Sequence, residues 1–590
     1  MEMLLAGNEA LARGFYEYGG EFASAYPGTP STEIMQVMGK FFKDDLYSEW
    51  APNEKVALET AVGASYGGAR SIAVMKHVGL NVAADPLMTL SYTGVGAGLI
   101  IVSADDPGMH SSQNEQDNRF YGKFASIPVL EPSDSQEAKD FVKDAFEISE
   151  KFDTPVLLRL TTRISHSKGV VRIGKRNTVD HPGFERNIEK YVMVPAYAAK
   201  RHSIIIDRLS KLKEFAEESS LNKILWNGKN VGVVTGSIAY QHTRDALPEA
   251  SVLKLGMGYP LPINKIKKFA SEVDRLFVVE ELEPFYEEQI RAAGIEVEGK
   301  KYFTNFLELN VTKVRKGFAD AGVLEPDSSS ADKKEEPLLP RPPVLCPGCP
   351  HRGLMVALRK LKVFTTGDIG CYTLGALPPL SQIDTCLCMG ASIGHAMGIE
   401  KAGKTSKKAV ALLGDSTFLH SGMTSLASAV YNNSSITVII ADNRITAMTG
   451  GQDNPATSKT LMGGDTKAIN LSDLCGSLGV ENVKTVDPYD IDETYNTLKE
   501  EIDRDAVSVV ITNRPCMLFP RKIKDEPFRI DTDKCIACGV CFSVGCPAIS
   551  GSGATNDKGK PIPAIDPAMC TGCGICAKVC PSEAIVEDKS

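Results

Sequence analysis

Short apolar runs separated by longer stretches of mixed polarity recur along most of this chain. From Met1 to about Lys168 they include SIAVMK from Ser71, LIIVSADD from Leu99 and PVLLRL from Pro155. A strand apolar on both faces is buried on both faces, as in a parallel sheet flanked by helices. The pattern predicts an α/β domain over 1–168. Residues 169–230 are more polar and partly helical, and read as a connector. A second α/β unit is predicted over 231–317, carried by NVGVVTGS from Asn230 and RLFVVEE from Arg275. The stretch 318–343, FADAGVLEPDSSSADKKEEPLLPRPP, is rich in Pro, Ser and charge and is predicted as a linker. A third α/β unit, 344–525, contains AVALLGD from Ala409 and ITVIIAD from Ile436. The last segment, 526–590, changes composition and repeats itself. DTDKCIACGVC and DPAMCTGCGIC begin 35 residues apart, at Asp531 and Asp566.

Composition narrows the classes. A chain of 590 residues exceeds what one core serves. A formal charge of −9 without a long basic run gives no reason to expect a nucleic-acid partner. No apolar stretch approaches the ~18 residues of a membrane span. Glu2 and Glu9 with no basic leader argue against a signal peptide, so the chain is expected in the cytoplasm. There thiols stay reduced, and clustered cysteines bind metal more often than they pair. Of 15 cysteines, eight lie between Cys535 and Cys580.

Those eight form two runs: Cys535, Cys538, Cys541 and Cys546-Pro547, then Cys570, Cys573, Cys576 and Cys580-Pro581. In the bacterial two-cluster ferredoxin pattern the fourth cysteine of each run ligates the other cluster. The expected [4Fe–4S] sets are Cys535, Cys538, Cys541 and Cys580, and Cys570, Cys573, Cys576 and Cys546. The first run has four residues before its last cysteine, the second three. A pair of zinc knuckles is the bland alternative.

The third α/β unit offers hard-oxygen chemistry. Gly414, Asp415 and Ser416 leave one apolar run, and Asn443 leaves the next, 28 residues after Asp415. The Asp415 carboxylate, the Asn443 amide oxygen and the main-chain carbonyl of Ile445 suit Mg²⁺, with two diphosphate oxygens completing an octahedron. Upstream, MGASIGHAMG from Met389 places Gly390 before a small-residue helix that allows phosphate close approach.

This spacing resembles the thiamin diphosphate motif, G-D-G followed by N-N, with G-D-S and Asp442-Asn443 in their places. Such enzymes also need a glutamate on the aminopyrimidine ring, commonly nine residues before a glycine. The resemblance implies Glu54, nine residues before Gly63, with Glu59 as competitor. Tyr26-Pro27-Gly28-Thr29-Pro30 resembles the Y-P-x-T-P turn of the 2-oxoacid:ferredoxin oxidoreductases, whose threonine contacts the substrate carboxylate or carbonyl. Read from the residues alone, Thr29 is a helix N-cap with Pro30 following.

MKHVGLNVAADPL from Met75, DDPGMHSSQNEQDNR from Asp105, KLGMGYPLP from Lys254, RPPVLCPGCPHRG from Arg341 and GDIGCYTLG from Gly367 extend the resemblance over nearly the whole chain. It is nearest to the branch acting on aryl-2-oxo acids such as indolepyruvate. The fold it implies is α/β multidomain. Doubly wound thiamin-binding domains (pyrimidine-binding 1–168, diphosphate-binding 344–525) flank a transketolase-C-like domain, and a C-terminal α+β two-cluster ferredoxin-like domain follows. It implies oxidative decarboxylation with coenzyme A, ferredoxin as acceptor, a smaller beta subunit carrying a gamma-type domain, and a dimer of heterodimers. It also implies a third [4Fe–4S] cluster near thiamin on Cys346, Cys349, Cys371 and Cys516; the alternative is buried or redox-paired thiols. Cys386, Cys388 and Cys475 are expected in the core. Lys76, His77, Asp105, Asp106, His110, Arg119 and His351 follow apolar strands, where α/β sites form. Pyruvate or 2-oxoglutarate specificity, or an electron-transfer subunit with an inactive thiamin fold, are the competing readings.

Overall fold

The computed structural model describes residues 1–180, 182–326, 342–404, 408–519, 525–556 and 558–588. The chain divides into two compact units, Met1–Pro337 with Leu461–Gly463, and Leu338–Thr460 with Gly464–Ser590.

In the first unit the predicted strands form the centre of a seven-stranded sheet. Every residue of Leu99–Asp105 and Val156–Thr161 is buried, and the two pair in parallel. Helices cover both faces, which is why these runs carry no polar alternation. Helix Ser135–Phe152 is opened by Asp134, whose side chain accepts from Glu137 N, and closed by left-handed Asp153. Its apolar stripe, including Phe141, Val142, Ala145 and Phe146, faces the core. A Cβ on Gly14 would lie 2.3 Å from the Lys139 carbonyl, so a small residue there lets helix Gly7–Glu17 approach it.

The predicted connector is more than that. Lys168–Arg172 pairs antiparallel with Glu2–Ala6, and Asn222–Leu225 forms the antiparallel edge of a four-stranded sheet. Between them helix Pro195–Glu218 buries Arg201, Ile205, Arg208, Leu212 and Ala216 along one face. Two of those five are arginines, which made the segment look solvated; both reach main-chain carbonyls. The second predicted α/β unit therefore starts before residue 231. Its strand Met257–Tyr259 pairs with Val129–Leu130 of the large sheet, so the two α/β halves form one body. The helix Val311–Asp320 also runs past the predicted start of the linker, with Phe318 packed edge-on against Phe277 and Phe303. Of that linker, residues 327–341 lie outside the described residues.

The second unit holds a five-stranded parallel sheet in the order Phe364–Thr366, Ala409–Gly414, Thr437–Asp442, Ser508–Asn513, Asn482–Val486. Its C-terminal module is α+β, with two antiparallel strand pairs and short helical turns at Val540–Val544 and Ile575–Lys578. Val544 and Ile575 pack with Val356 and Ile491, which docks the module on the parallel-sheet domain. Among the described residues no helix is long and apolar enough to cross a membrane.

Candidate functional site

Strands Ala409–Gly414 and Thr437–Asp442 are parallel neighbours, with Gly414 opposite Ala441. Asp415 and Asn443 therefore emerge side by side at the carboxyl ends of the strands, where open α/β sheets bind ligands. Both are buried. Asp415 accepts a hydrogen bond from Asn454 Nδ2 at 3.1 Å. Burial, then the neighbouring Asp442 charge, pushes its carboxyl up to about 7. A divalent cation would relieve both effects, so this donor set fits Mg²⁺. Asn443 Oδ1 accepts from Ile445 N at 3.2 Å across left-handed Arg444, which folds the Ile445 peptide back toward the strand end. Asp442, in the first-asparagine position, is held by Arg444 N and Asn513 Nδ2. Ser416 Oγ accepts from Thr446 Oγ1 at 3.0 Å, tying the two turns together.

Gly390 has φ 83 and closes against Ser421, whose Cβ would lie 2.7 Å from an added Cβ. Its N–H and the Ser392 hydroxyl donate to the buried Asp368 carboxylate at 3.1 and 2.8 Å. The helix Ala391–Ala402 thus carries its own anion at its N-terminus. What Gly390 offers a phosphate is close approach, not an N–H donor. Tyr372 donates to the other Asp368 oxygen, and its ring lies 3.1 Å from where a Gly414 Cβ would stand. Asp368, Tyr372 and Asn454 escaped sequence reading; the only signal was the position of the first two within GDIGCYTLG.

The same wall carries Cys371 and Cys516. Thr417 Oγ1 donates to Ile369 O at 3.1 Å, two residues before Cys371. The Cys516 amide donates to the Asn443 carbonyl at 3.0 Å. Burial raises the Cys349, Cys371 and Cys516 thiols, Cys371 to about 12. Neighbouring thiols add to each shift: Cys371 and Cys346 at Cys349, Cys516 and Cys346 at Cys371, and Cys346 at Cys516. Four thiols from three separate segments therefore converge beside Asp415, a donor set suited to iron–sulfur ligation. Among the described residues no three His, Cys, Asp or Glu are gathered to hold a single ion. Of the other cysteines, Cys475 is buried, whereas Cys386 and Cys388 are exposed and not core residues. They sit just before the helix N-terminus, where the chain is crossing the surface.

In the C-terminal module Cys535, Cys538, Cys541 and Cys580 line one small cavity. Cys573, Cys546 and Cys570 all act on Cys576. Each fourth cysteine thus lies with the opposite run. Gly539 and Gly574, one in each run, share the left-handed conformation at φ 76 and 71. The extra residue of the first run is absorbed by Gly545 at φ 65, immediately before Cys546.

In the first unit Glu54 opens helix Glu54–Tyr66 behind Asn53, whose side chain accepts from Val56 N. Glu54 is 5% exposed, and its carboxylate occupies the space left by Gly79: an added Cβ would lie 2.7 Å from Glu54 Cγ and Oε1. Glu59 is exposed and paired with Lys55. Burial pulls the Lys76 ammonium below its usual range against the charges of Asp106 and Glu54. Lys76 Nζ donates to Ser111 O at 3.0 Å, and Ser111 Oγ to Thr29 O at 3.2 Å, so Thr29, Lys76 and Asp106 line one corner. Thr29 is not a helix cap: helix Thr32–Phe41 starts after Ser31, whose hydroxyl bonds Gly28 O.

The other flagged charges divide by partner. Arg119 is buried between Asp117 and Glu280, linking the large sheet to the end of the four-stranded one, and Asp105 is paired with Arg159 at 2.6 Å between neighbouring strands of the large sheet. His77 bonds Asn114, and exposed His110 pairs with Glu308. His351 stands edge-on to Tyr372, and burial drives it down to about 4, so it is neutral.

Residues 13–214 match the family described as "Pyruvate flavodoxin/ferredoxin oxidoreductase, thiamine diP-bdg". Residues 368–512 match "Thiamine pyrophosphate enzyme, C-terminal TPP binding domain", and 534–584 match "4Fe-4S dicluster domain". The indolepyruvate oxidoreductase subunit IorA of Pyrococcus horikoshii is 42% identical over 98% of this chain and 96% of its own. That of Archaeoglobus fulgidus is 41% identical over 100% of this chain and 98% of its own. The 2-oxoglutarate synthase subunit KorA of Methanothermobacter thermautotrophicus is 24% identical over 50% of this chain and 92% of its own. By motif, by arrangement of donors and by full-length similarity, the chain belongs to the thiamin-diphosphate-dependent 2-oxoacid:ferredoxin oxidoreductases, in the indolepyruvate oxidoreductase large-subunit family.

Proposed function

We propose that this subunit oxidatively decarboxylates aryl-2-oxo acids, indolepyruvate foremost, with coenzyme A to an aryl-acyl-CoA and CO₂, and passes the electrons to ferredoxin. The observation that supports this reading is the hydrogen bond between Cys516 and Asn443, which joins one of the four converging thiols to one of the candidate hard-oxygen donors. Aryl specificity is supported by the names of the relatives at 41–42% identity.

Asp415, Asn443 and the Ile445 carbonyl would hold Mg²⁺ and the diphosphate, with Gly390, Gly414 and Ser416 close by. When bound, thiamin diphosphate would supply a nucleophilic ring carbon and a place for the electron pair of a decarboxylating 2-oxo acid. Glu54, out of water, would share a proton with the aminopyrimidine N1′. Thr29 and Lys76 would orient the substrate carboxylate, Lys76 by charge. Cys346, Cys349, Cys371 and Cys516 would hold the first cluster to receive electrons, and the two ferredoxin-module sets the next two. The active form would be a dimer of heterodimers, cytoplasmic, with a smaller beta subunit.

The test is a panel of 2-oxo acids offered to the complex with CoA and a viologen acceptor. Indolepyruvate and phenylpyruvate should turn over faster than pyruvate or 2-oxoglutarate. Faster turnover on pyruvate overturns the specificity. Removal of thiamin diphosphate and Mg²⁺ without loss of dye reduction overturns the chemistry.

A further inference from the structure

Arg352 is among the largest side chains fully buried in this protein, at 1% exposure. It lies on helix His351–Leu361, three residues after Cys349. Its guanidinium meets four main-chain carbonyls. Nε and Nη2 donate to Cys346 and Leu345, in the C-x-x-C loop of the proposed thiamin-proximal cluster. Nη1 donates to Val544, at 2.9 Å, and to Gly545, in the loop that leads into Cys546. Gly545 is the residue by which the first cysteine run exceeds the second, and its φ of 65 turns that loop. The extra residue of the ferredoxin repeat thus lies at this contact.

A guanidinium stays protonated even when buried. Such a charge is tolerated only beside compensating negative charge. Among the described residues Arg352 has no carboxylate partner. The ionisable groups acting on it are the thiols of Cys546, Cys349, Cys573 and Cys346, two from each proposed cluster. The neighbouring Arg359 is the useful contrast. It also holds the module, through the Ser543 carbonyl, yet no thiol acts on it.

We propose that Arg352 is the positive link between the cluster on Cys346, Cys349, Cys371 and Cys516 and the cluster on Cys570, Cys573, Cys576 and Cys546, and that it raises the reduction potential of both. The proposal rests on the cluster assignment given above. One electron at a time leaves the first cluster, oxidising it by one, and reduces the second by one. Two such transfers, each followed by transfer to an iron–sulfur acceptor protein, clear the pair released by one 2-oxo acid. Each reduced cluster carries one more negative charge, which a fixed cation in a low-dielectric interior stabilises. Arg352 is thus a positioning residue, holding the two ligand loops together and setting the energy of the electron between them.

The experiment is an EPR-monitored redox titration of the purified complex, with iron counted in every sample. R352M should retain wild-type iron and show a tenfold lower ratio of reduced to oxidised cluster at fixed potential, about 59 mV for one electron. R359M should stay within twofold of wild type. R352M with full iron and the potentials of R359M overturns the proposal. If R352M loses iron, R352Q is read in its place by the same criterion. If both lose iron, retention in R352K supports the need for charge, and loss in R352K as well overturns it, because the residue then only holds the fold. About eight irons in the wild type, where three clusters need about twelve, removes the cluster assignment itself and is seen before any variant is made.

Discussion

The amide of Cys516 donates to the carbonyl of Asn443 at 3.0 Å, so one hydrogen bond joins a proposed metal ligand to a proposed cluster ligand. In sequence they are 73 residues apart, the difference between 516 and 443. They meet because strand Ser508–Asn513 lies beside Thr437–Asp442, with Asn513 opposite Asp442, and both leave the sheet at the same edge.

The cysteine set beside Asp415 predicts an iron count. Cys516→Ser should lower the iron content by about four atoms per chain from about twelve, leaving the two ferredoxin-module clusters in place. Iron analysis with EPR reads it. An unchanged content in the variant excludes Cys516 as a ligand.

Glu54 and Glu59 differ in burial, and so should their variants. Glu54→Gln should slow substrate oxidation by about 10²–10⁴-fold, the usual range for a lost acid–base group. Glu59→Gln, at an exposed ion pair worth little, should stay within about twofold. Steady-state rates with a dye acceptor decide between them. The reverse ranking moves the ring contact to Glu59.

Gly79 is small because Glu54 fills the space in front of it. Gly79→Ala places a methyl group 2.7 Å from that carboxylate, inside contact distance. Thiamin diphosphate affinity should fall at least about tenfold, roughly 1.4 kcal/mol, with the circular dichroism spectrum retained. Calorimetric titration of the cofactor measures it, and wild-type affinity refutes the contact.

Lys76 predicts a split between binding and turnover. Lys76→Met removes the half-buried charge beside Thr29 and Asp106, so KM for 2-oxo acids should rise at least tenfold while cofactor affinity stays within about threefold. A change confined to cofactor affinity would place Lys76 elsewhere.

Glu281 supplies a pH test of the first unit. It is buried, and burial pushes its carboxyl up to about 7, against the hydrogen bond from Leu309 N. An acid whose folded pKa lies above its unfolded value favours the fold when protonated. Stability should therefore fall as pH rises from about 4.5 to about 7, by roughly 3 kcal/mol once the group is fully ionised. Glu281→Gln should match wild type near pH 4.5 and melt higher at pH 8. Equal melting points across that range would show that the carboxyl finds other support.

Much of this site was legible in the residues. Spacing alone picked out Asp415 and Asn443, because two apolar strands of fixed length deliver their ends to the same edge. Both ferredoxin ligand sets follow from a local repeat. Burial was less legible. The face of helix Pro195–Glu218 is packed through Arg201 and Arg208, and polarity hid it. Cys386 and Cys388 are apolar enough to be read as core, yet they are exposed.

By itself the sequence determined the strands, the repeated cysteine spacing and the positions of Asp415 and Asn443 at two strand ends, since periodicity and short spacings act through neighbours along the chain. Tertiary structure alone decided that Glu54 is covered and Glu59 is wet, and that Arg352 meets Gly545 across 193 residues. Those outcomes depend on which surfaces come together. Burying a charge is costly enough that the fold must first build its partners on a distant segment.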